Sequence, residues 1–298
     1  MQIRTLGVAL VLSLAAFGAS AALTAVVEGV QMPAWVERAG VKQPLAAGME
    51  LQATDRISTG ANSRILLRLA EGSQVKLGEN AQMSLDRLAQ RQDNRQTLLQ
   101  AVIDVSRGAF RFTTDAKAKL LSRREVDVRV STVTAGIRGT DLWGKSAGDR
   151  DIVCLIEGKI VVQREAEQPI NLDQALQFYI APKAGGRPDL LKPVQLATVT
   201  AEQLTQWAAE TEIEAGQGAA RRGGKWKLVV ASSPDQNVAL AVYDKLRAEG
   251  YAASIFPTGS AEKRAYEVRI GGLPSKAEAE ALAVRVEPIS GSRGRAAT

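Results

Sequence analysis

Tyr266-Glu-Val-Arg-Ile-Gly-Gly272, followed two residues later by Ser275-Lys-Ala-Glu278, decides the fold of the last quarter of this chain. Val268 and Ile270 alternate with Glu267 and Arg269, as in a strand with one buried face, and the glycine pair ends the run. Ser275 and Glu278 have capping-box spacing, so a helix opens there and is expected to reach Val284. Upstream, Trp226-Lys-Leu-Val-Val-Ala-Ser232 is a half-buried strand. Ser233-Pro-Asp-Gln236 offers a cap hydroxyl, a proline at the first helical position and a glutamine at the third, which starts a helix near Pro234. Val238, Val242 and Leu246 recur at helical spacing before Glu249-Gly250 closes it. Tyr251 to Phe256 is the next strand, and Pro257-Thr-Gly-Ser260 turns the chain. The unit is α+β, in the order strand, helix, strand, strand, helix.

Alternation assigns the faces of its sheet. Leu228 and Val230 point one way and Lys227, Val229 and Ala231 the other, while Val268 and Ile270 oppose Glu267 and Arg269. The helices must cover the apolar side. The other side, with Lys227, Arg269, Ser254 and Phe256, is left to solvent or a ligand.

The strand entry at Trp226, the helix ending in Glu249-Gly250-Tyr251 and the run from Tyr266 to Gly272 with Ser275 to Ala281 together resemble a SPOR domain, a peptidoglycan-binding module, and the resemblance implies an α+β fold of the ferredoxin-like βαββαβ kind. The resemblance implies that Lys227, Val229, Ser232, Ser254, Phe256 and Arg269 face glycan strands, the peptide-stripped ones the family favours at division sites. Val229 stands where the family commonly has a glutamine. The strand order also occurs in RNA-binding modules, but the third strand offers Glu267 and Arg269 in place of stacking aromatics, so nucleic acid is not the expected partner.

From Val26 to about Arg164 the grammar is that of an all-β meander. Ile65, Leu67 and Leu69 alternate, Glu71-Gly-Ser73 turns, Val75 and Leu77 resume, and Gly78-Glu-Asn80 turns again. Val126, Val128 and Val130 repeat the pattern, followed by Thr132 to Ile137 and Ile160 to Val162. Asp86 to Arg95, polar and without an apolar face, reads as a mobile loop. Gly48 to Leu51, Asp55 to Gly60, Ala61-Asn-Ser63, Glu71-Gly-Ser73, Leu77-Gly78, Arg107-Gly108, Ser131 to Thr140 and Glu157-Gly158 resemble the FecR-type periplasmic domain. In the family's namesake that domain relays an outer-membrane signal to a sigma factor. Here the chain opens on an export signal, so the resemblance implies a protein-binding or envelope-ligand fold kept without the relay. Most of these motif residues are turn formers and read as shaping the fold; Arg138 is the charged exception.

The expected domains are a signal peptide at 1–21, the FecR-like domain at 22–182, a linker at 183–224 and the SPOR-like domain at 225–298. In the linker, Thr200-Ala-Glu-Gln203 caps a short helix whose Trp207 packs on the front domain, and Gly216 to Gly224 reads as a flexible tether.

Met1 to Ala21 combines Arg4, an apolar run from Leu6 to Phe17 and Ala19-Ser-Ala21, the pattern of a cleaved secretory signal. The periplasm follows as the compartment, with a membrane association only if the segment stays uncleaved. From Arg221 onward 13 Lys/Arg stand against 8 Asp/Glu, a surplus that favours an anionic polymer at long range. The chain has no histidine, which removes Ser-His-Asp and Cys-His catalysis and the usual zinc sites. Its one cysteine, Cys154, lies in an apolar run and reads as a core residue. No cofactor motif is present, and Glu71, Glu79 and Asp141 lack a spacing that would pair any two for glycan cleavage. The expectation is a non-enzymatic binding protein with no cofactor or metal; the alternative is an envelope signalling protein, with a carboxylate-based hydrolase behind it.

Overall fold

The computed structural model describes residues 25–298 apart from 94–95, 118–121, 138, 165–166, 184–193 and 261. The expected signal peptide at 1–21 and Arg138 therefore lie outside the described residues.

The front domain is built from strands, and its organising element is the long strand Gln96–Thr113. Its first part pairs with Gln82–Asp93 on one side and, in parallel, with Ser122–Val130 on the other. Its last part pairs with Gln74–Leu77 and Asp141–Ser146, in a second sheet. Gly108 sits where the strand passes between the two. Its φ is +85°, and a Cβ there would lie 2.4 Å from the Cβ of Ala81, so only glycine fits the crossing. The alternating residues Ile65, Leu67, Val75, Leu77, Phe110 and Phe112 are all buried, as a strand with one face on a core requires. The parallel pairing departs from a pure meander.

The stretch from Asp86 is not a loop. Gln82–Asp93 is a strand across most of it, and a bulge between Leu85 and Arg87 is the reason the alternation is hidden. The extra residue lets Leu85 and Leu88, three apart, both point inward.

Several shared-motif residues hold turns. Asp55 is fully buried and accepts from Arg38 Nε at 2.8 Å, Arg38 Nη2 at 2.7 Å and the Gln52 amide at 2.8 Å. Thr59 Oγ1 donates to the Gly78 carbonyl at 2.7 Å and accepts from the Ala81 amide at 2.8 Å. Asp55→Ala leaves the Gln52 amide unpaired and frees Arg38, which is partly exposed and regains water. The expected loss is about 2 kcal/mol in a urea titration.

The connector is docked along the described part of its length. Thr200 caps the helix Ala201–Ala209, and Trp207 stacks on Trp143 with ring centroids 4.4 Å apart and planes 3° from parallel. Glu210 pairs with Lys145 at 2.8 Å, and Glu212 bridges Lys76 and Arg111. The expected tether from Gly216 to Gly224 is instead ordered against both domains. Ala220 and Arg221 pair with Val30 and Gly29 of the strand Ala25–Gln31. The amides of Gly216, Gly218 and Ala219 donate to the buried Glu278 carboxylate at 2.6, 2.7 and 3.0 Å. A Cβ on Gly218 would lie 2.8 Å from the Cα of Leu282, so the glycine serves close approach rather than freedom.

The C-terminal domain runs β1 (Trp226–Ser233), α1 (Gln236–Ala248), β2 (Ala253–Thr258), β3 (Ala265–Leu273), α2 (Lys276–Ser290) and β4 (Arg295–Ala297). The sheet order is β2-β3-β1-β4, antiparallel at every pairing. Asp235, not Ser233, caps α1, because its carboxylate reaches the Asn237 amide while Ser233 stays in β1. Ser275 caps α2 by accepting from the Glu278 amide, and the helix runs past Val284 to Ser290. Glu278 does not reach back to complete the capping box; its carboxylate goes to the glycine segment instead.

The front domain meets this unit at its helical side. The Ala34 amide donates to the Gly250 carbonyl at 3.1 Å, Gly250 lies under Trp35, and Arg285 of α2 donates to the Met32 carbonyl. Buried residues of both domains form one continuous cluster. Among the described residues no helix is long and apolar enough to cross a membrane.

Candidate functional site

The face of the C-terminal sheet away from the helices is built by the register of its strands. Leu228 lies opposite Ile270, both buried against the helices. A bulge between Val229 and Ala231 then moves Ala231 opposite Val268, onto the helical side, and leaves Ser232 opposite Glu267 on the open side. Strict alternation had put Ala231 on the open face; the bulge is why it is not there. It also brings Val229 and Ser232, three apart, to one face.

Two rows result. Arg295, Val229, Arg269 and Ser254 are successive cross-strand neighbours from β4 to β2. Ser232, Glu267 and Phe256 form the next row. Lys227 lies beside them in β1 opposite Ala297, and its Nζ donates to the Thr298 carbonyl. All six residues singled out in the sequence, Lys227, Val229, Ser232, Ser254, Phe256 and Arg269, thus share one face. Ser232 and Ser254 are exposed, and Phe256 keeps 44% of its surface in water. Val229 is buried between its two arginine neighbours and forms an apolar floor.

Arg269 is not a free cation. Its Nε donates to Glu267 Oε2 at 2.8 Å, and its guanidinium carbon stands 4.9 Å from the centre of the Phe256 ring. Arg295 donates to Glu267 Oε1 at 3.0 Å. One carboxylate therefore holds two guanidiniums, and one of them, Arg269, stands over an exposed aromatic. Sequence reasoning placed Glu267 on this face but gave it no role, and it missed Arg295. The first needed the register; the second follows a helix end and a short glycine-bearing turn, where alternation has too few residues to speak.

Of the three carboxylates considered for hydrolysis, two have other work, and the third, Glu71, has both oxygens buried without a hydrogen-bond partner among the described residues. Asp141 accepts from Arg111 Nε at 3.0 Å and Nη2 at 2.6 Å, and Glu79 accepts from the Asn62 amide at 2.7 Å. Among the described residues no three His, Cys, Asp or Glu side chains converge as metal ligands would. Cys154 is buried beside Trp143 and Trp207, and burial pushes its thiol up to about 12, far from a reactive thiolate. The front domain holds a cleft of about 490 Å³ lined by Arg64, Glu79, Arg107, Lys145 and Glu210.

No curated protein matches the chain. Two crystal structures described as an anti-sigma factor candidate from Parabacteroides distasonis ATCC 8503 are similar at 16% and 15% identity, each with a TM-score of 0.38. The alignments cover 51% and 81% of this chain and 64% and 96% of theirs, a likeness too low to carry any conclusion. Two family models match: FecR protein over residues 55–161 and SPOR domain over residues 223–294. Both are binding or regulatory families. With their order and the two folds agreeing, the chain carries a FecR domain followed by a C-terminal SPOR domain.

Proposed function

We propose that the protein is a non-enzymatic, periplasmic peptidoglycan-binding protein held on peptide-stripped glycan strands by the open face of its SPOR domain. The observation that supports this is the division of surfaces. The domain spends its helical side on the front domain, through Gly250 and Arg285, and on the connector, through Glu278, and leaves free the sheet face with Phe256, Arg269 and the two serines. An exposed ring beside planar donors suits a sugar, whose apolar face stacks while its hydroxyls accept hydrogen bonds. The FecR domain then presents a protein or a second envelope ligand with a binding surface, and because the two domains share a core, it is held at a fixed place relative to the glycan.

Arg269→Glu and Phe256→Ala test the face. Each is expected to reduce co-sedimentation with purified sacculi about tenfold, with Phe256→Ala leaving the melting curve in place because the ring is half exposed. Unchanged sedimentation of both variants would place the binding elsewhere.

A further inference from the structure

Two guanidiniums share one carboxylate on the open face. Arg269 and Arg295 flank Val229 as its direct cross-strand neighbours, and both reach Glu267, at 2.8 and 3.0 Å. Each guanidinium carries about five N–H donors, so one carboxylate leaves most of them unused. The Arg295 side chain is 65% exposed, and the Arg269 guanidinium carbon lies 4.9 Å from the centre of the Phe256 ring. The cluster keeps one net positive charge, outward donors, an apolar floor at Val229 and an aromatic edge.

We propose that Arg269 and Arg295, oriented by Glu267, bind a free carboxylate carried by the sugar. The inference rests on the glycan-binding reading above and adds the group that is recognised. A guanidinium pair is suited to this task because its planar donors match the two oxygens of a carboxylate, whereas a neutral amide offers one acceptor and no charge. In a peptide-bearing strand the lactyl carbonyl of the muramyl sugar is such an amide. Hydrolysis of that bond adds water across it, leaves a carboxylate on the sugar and releases the peptide with a free amine. Stripped strands therefore display the anion at the sugar, and the cluster distinguishes them by charge.

The test is co-sedimentation of residues 22–298 with three preparations of sacculi: intact, stripped by an amidase, and stripped and then amidated at their carboxyls with carbodiimide and ammonia. Amidation is expected to weaken binding about tenfold at low ionic strength, the size of one partly exposed charge-assisted pair. Arg295→Gln should weaken binding to stripped sacculi by a similar factor and leave binding to the amidated form unchanged, with its thermal melt confirming the fold. Equal binding to the stripped and amidated forms overturns the proposal while leaving glycan binding intact. Tighter binding to intact sacculi puts the recognised carboxylate on the peptide and overturns its assignment to the sugar. Binding to none of the three removes the glycan reading and this inference with it.

Discussion

Replacement of Glu278 by alanine is expected to lower the free energy of unfolding by about 4 kcal/mol, because three backbone amides, two of them buried, lose a charged acceptor at once. Glu278 is 7% exposed, and its two oxygens accept from Gly216, Gly218 and Ala219. Among the described residues those amides have no other acceptor, and with the side chain gone the segment must open to water to satisfy them. That opening also loosens Ala220 and Arg221 from the first strand of the front domain. A urea titration followed by circular dichroism measures the loss, and limited proteolysis should find new cleavage between Gly216 and Gly224. Glu278→Gln keeps the volume and one acceptor oxygen, so it should fall between the wild type and alanine. A melt unchanged by Glu278→Ala would mean that the segment contributes nothing to holding the domains together.

Trp207→Ala is the second large effect, expected at about 3 to 5 kcal/mol, the usual range for removing a packed indole. Trp207 is 9% exposed, stacked on Trp143 and met edge-on by Phe178 at 6.1 Å. Its loss leaves a cavity between the helix Ala201–Ala209 and the sheet, and the ion pairs of Glu210 and Glu212, partly exposed, are too weak to keep the helix in place. Two parallel indoles in contact couple their electronic transitions, so the variant should also lose an exciton signal in circular dichroism. Trp207→Phe retains an aromatic surface and should recover part of the stability but not that signal.

These residues mark what the sequence discloses and what it hides. Val268 and Ile270 against Glu267 and Arg269 gave the faces of β3 because that part of the strand has no bulge and obeys its alternation. In β1 the same rule misplaced Ala231, since a bulge adds one residue to one strand only and leaves no compositional trace. The polar stretch from Asp86 misled for the same reason: Leu85 and Leu88 break the period of two, and the pairing that restores it is with a strand beyond the turn. Local chemistry was more legible than tertiary use. Ser275 and Thr200 cap the helices they announce, but the Glu278 that completes the first motif is diverted to a segment some sixty residues earlier. Glycines carry the same ambiguity. Gly216 to Gly224 has the composition of a linker, and only the contact partners reveal that Gly218 is there to let the backbone approach Leu282.

The glycan-binding face follows the same division. Five of its six expected residues lie at positions that alternation or turn spacing can reach, and Ser232 reaches the face through the bulge. The Glu267 bridge between Arg269 and Arg295 depends on β4 lying next to β1, a pairing set by the closing of the fold rather than by any local signal.

Co-sedimentation of residues 22–298 with purified sacculi, before and after an amidase removes their peptides, tests the central claim most directly. Binding that rises on stripping is the expected result, and it would place the protein on bare glycan with its FecR domain held at a fixed position beside it. Absence of binding to either preparation would contradict the account and leave a protein partner of the FecR domain as the feature that locates the chain.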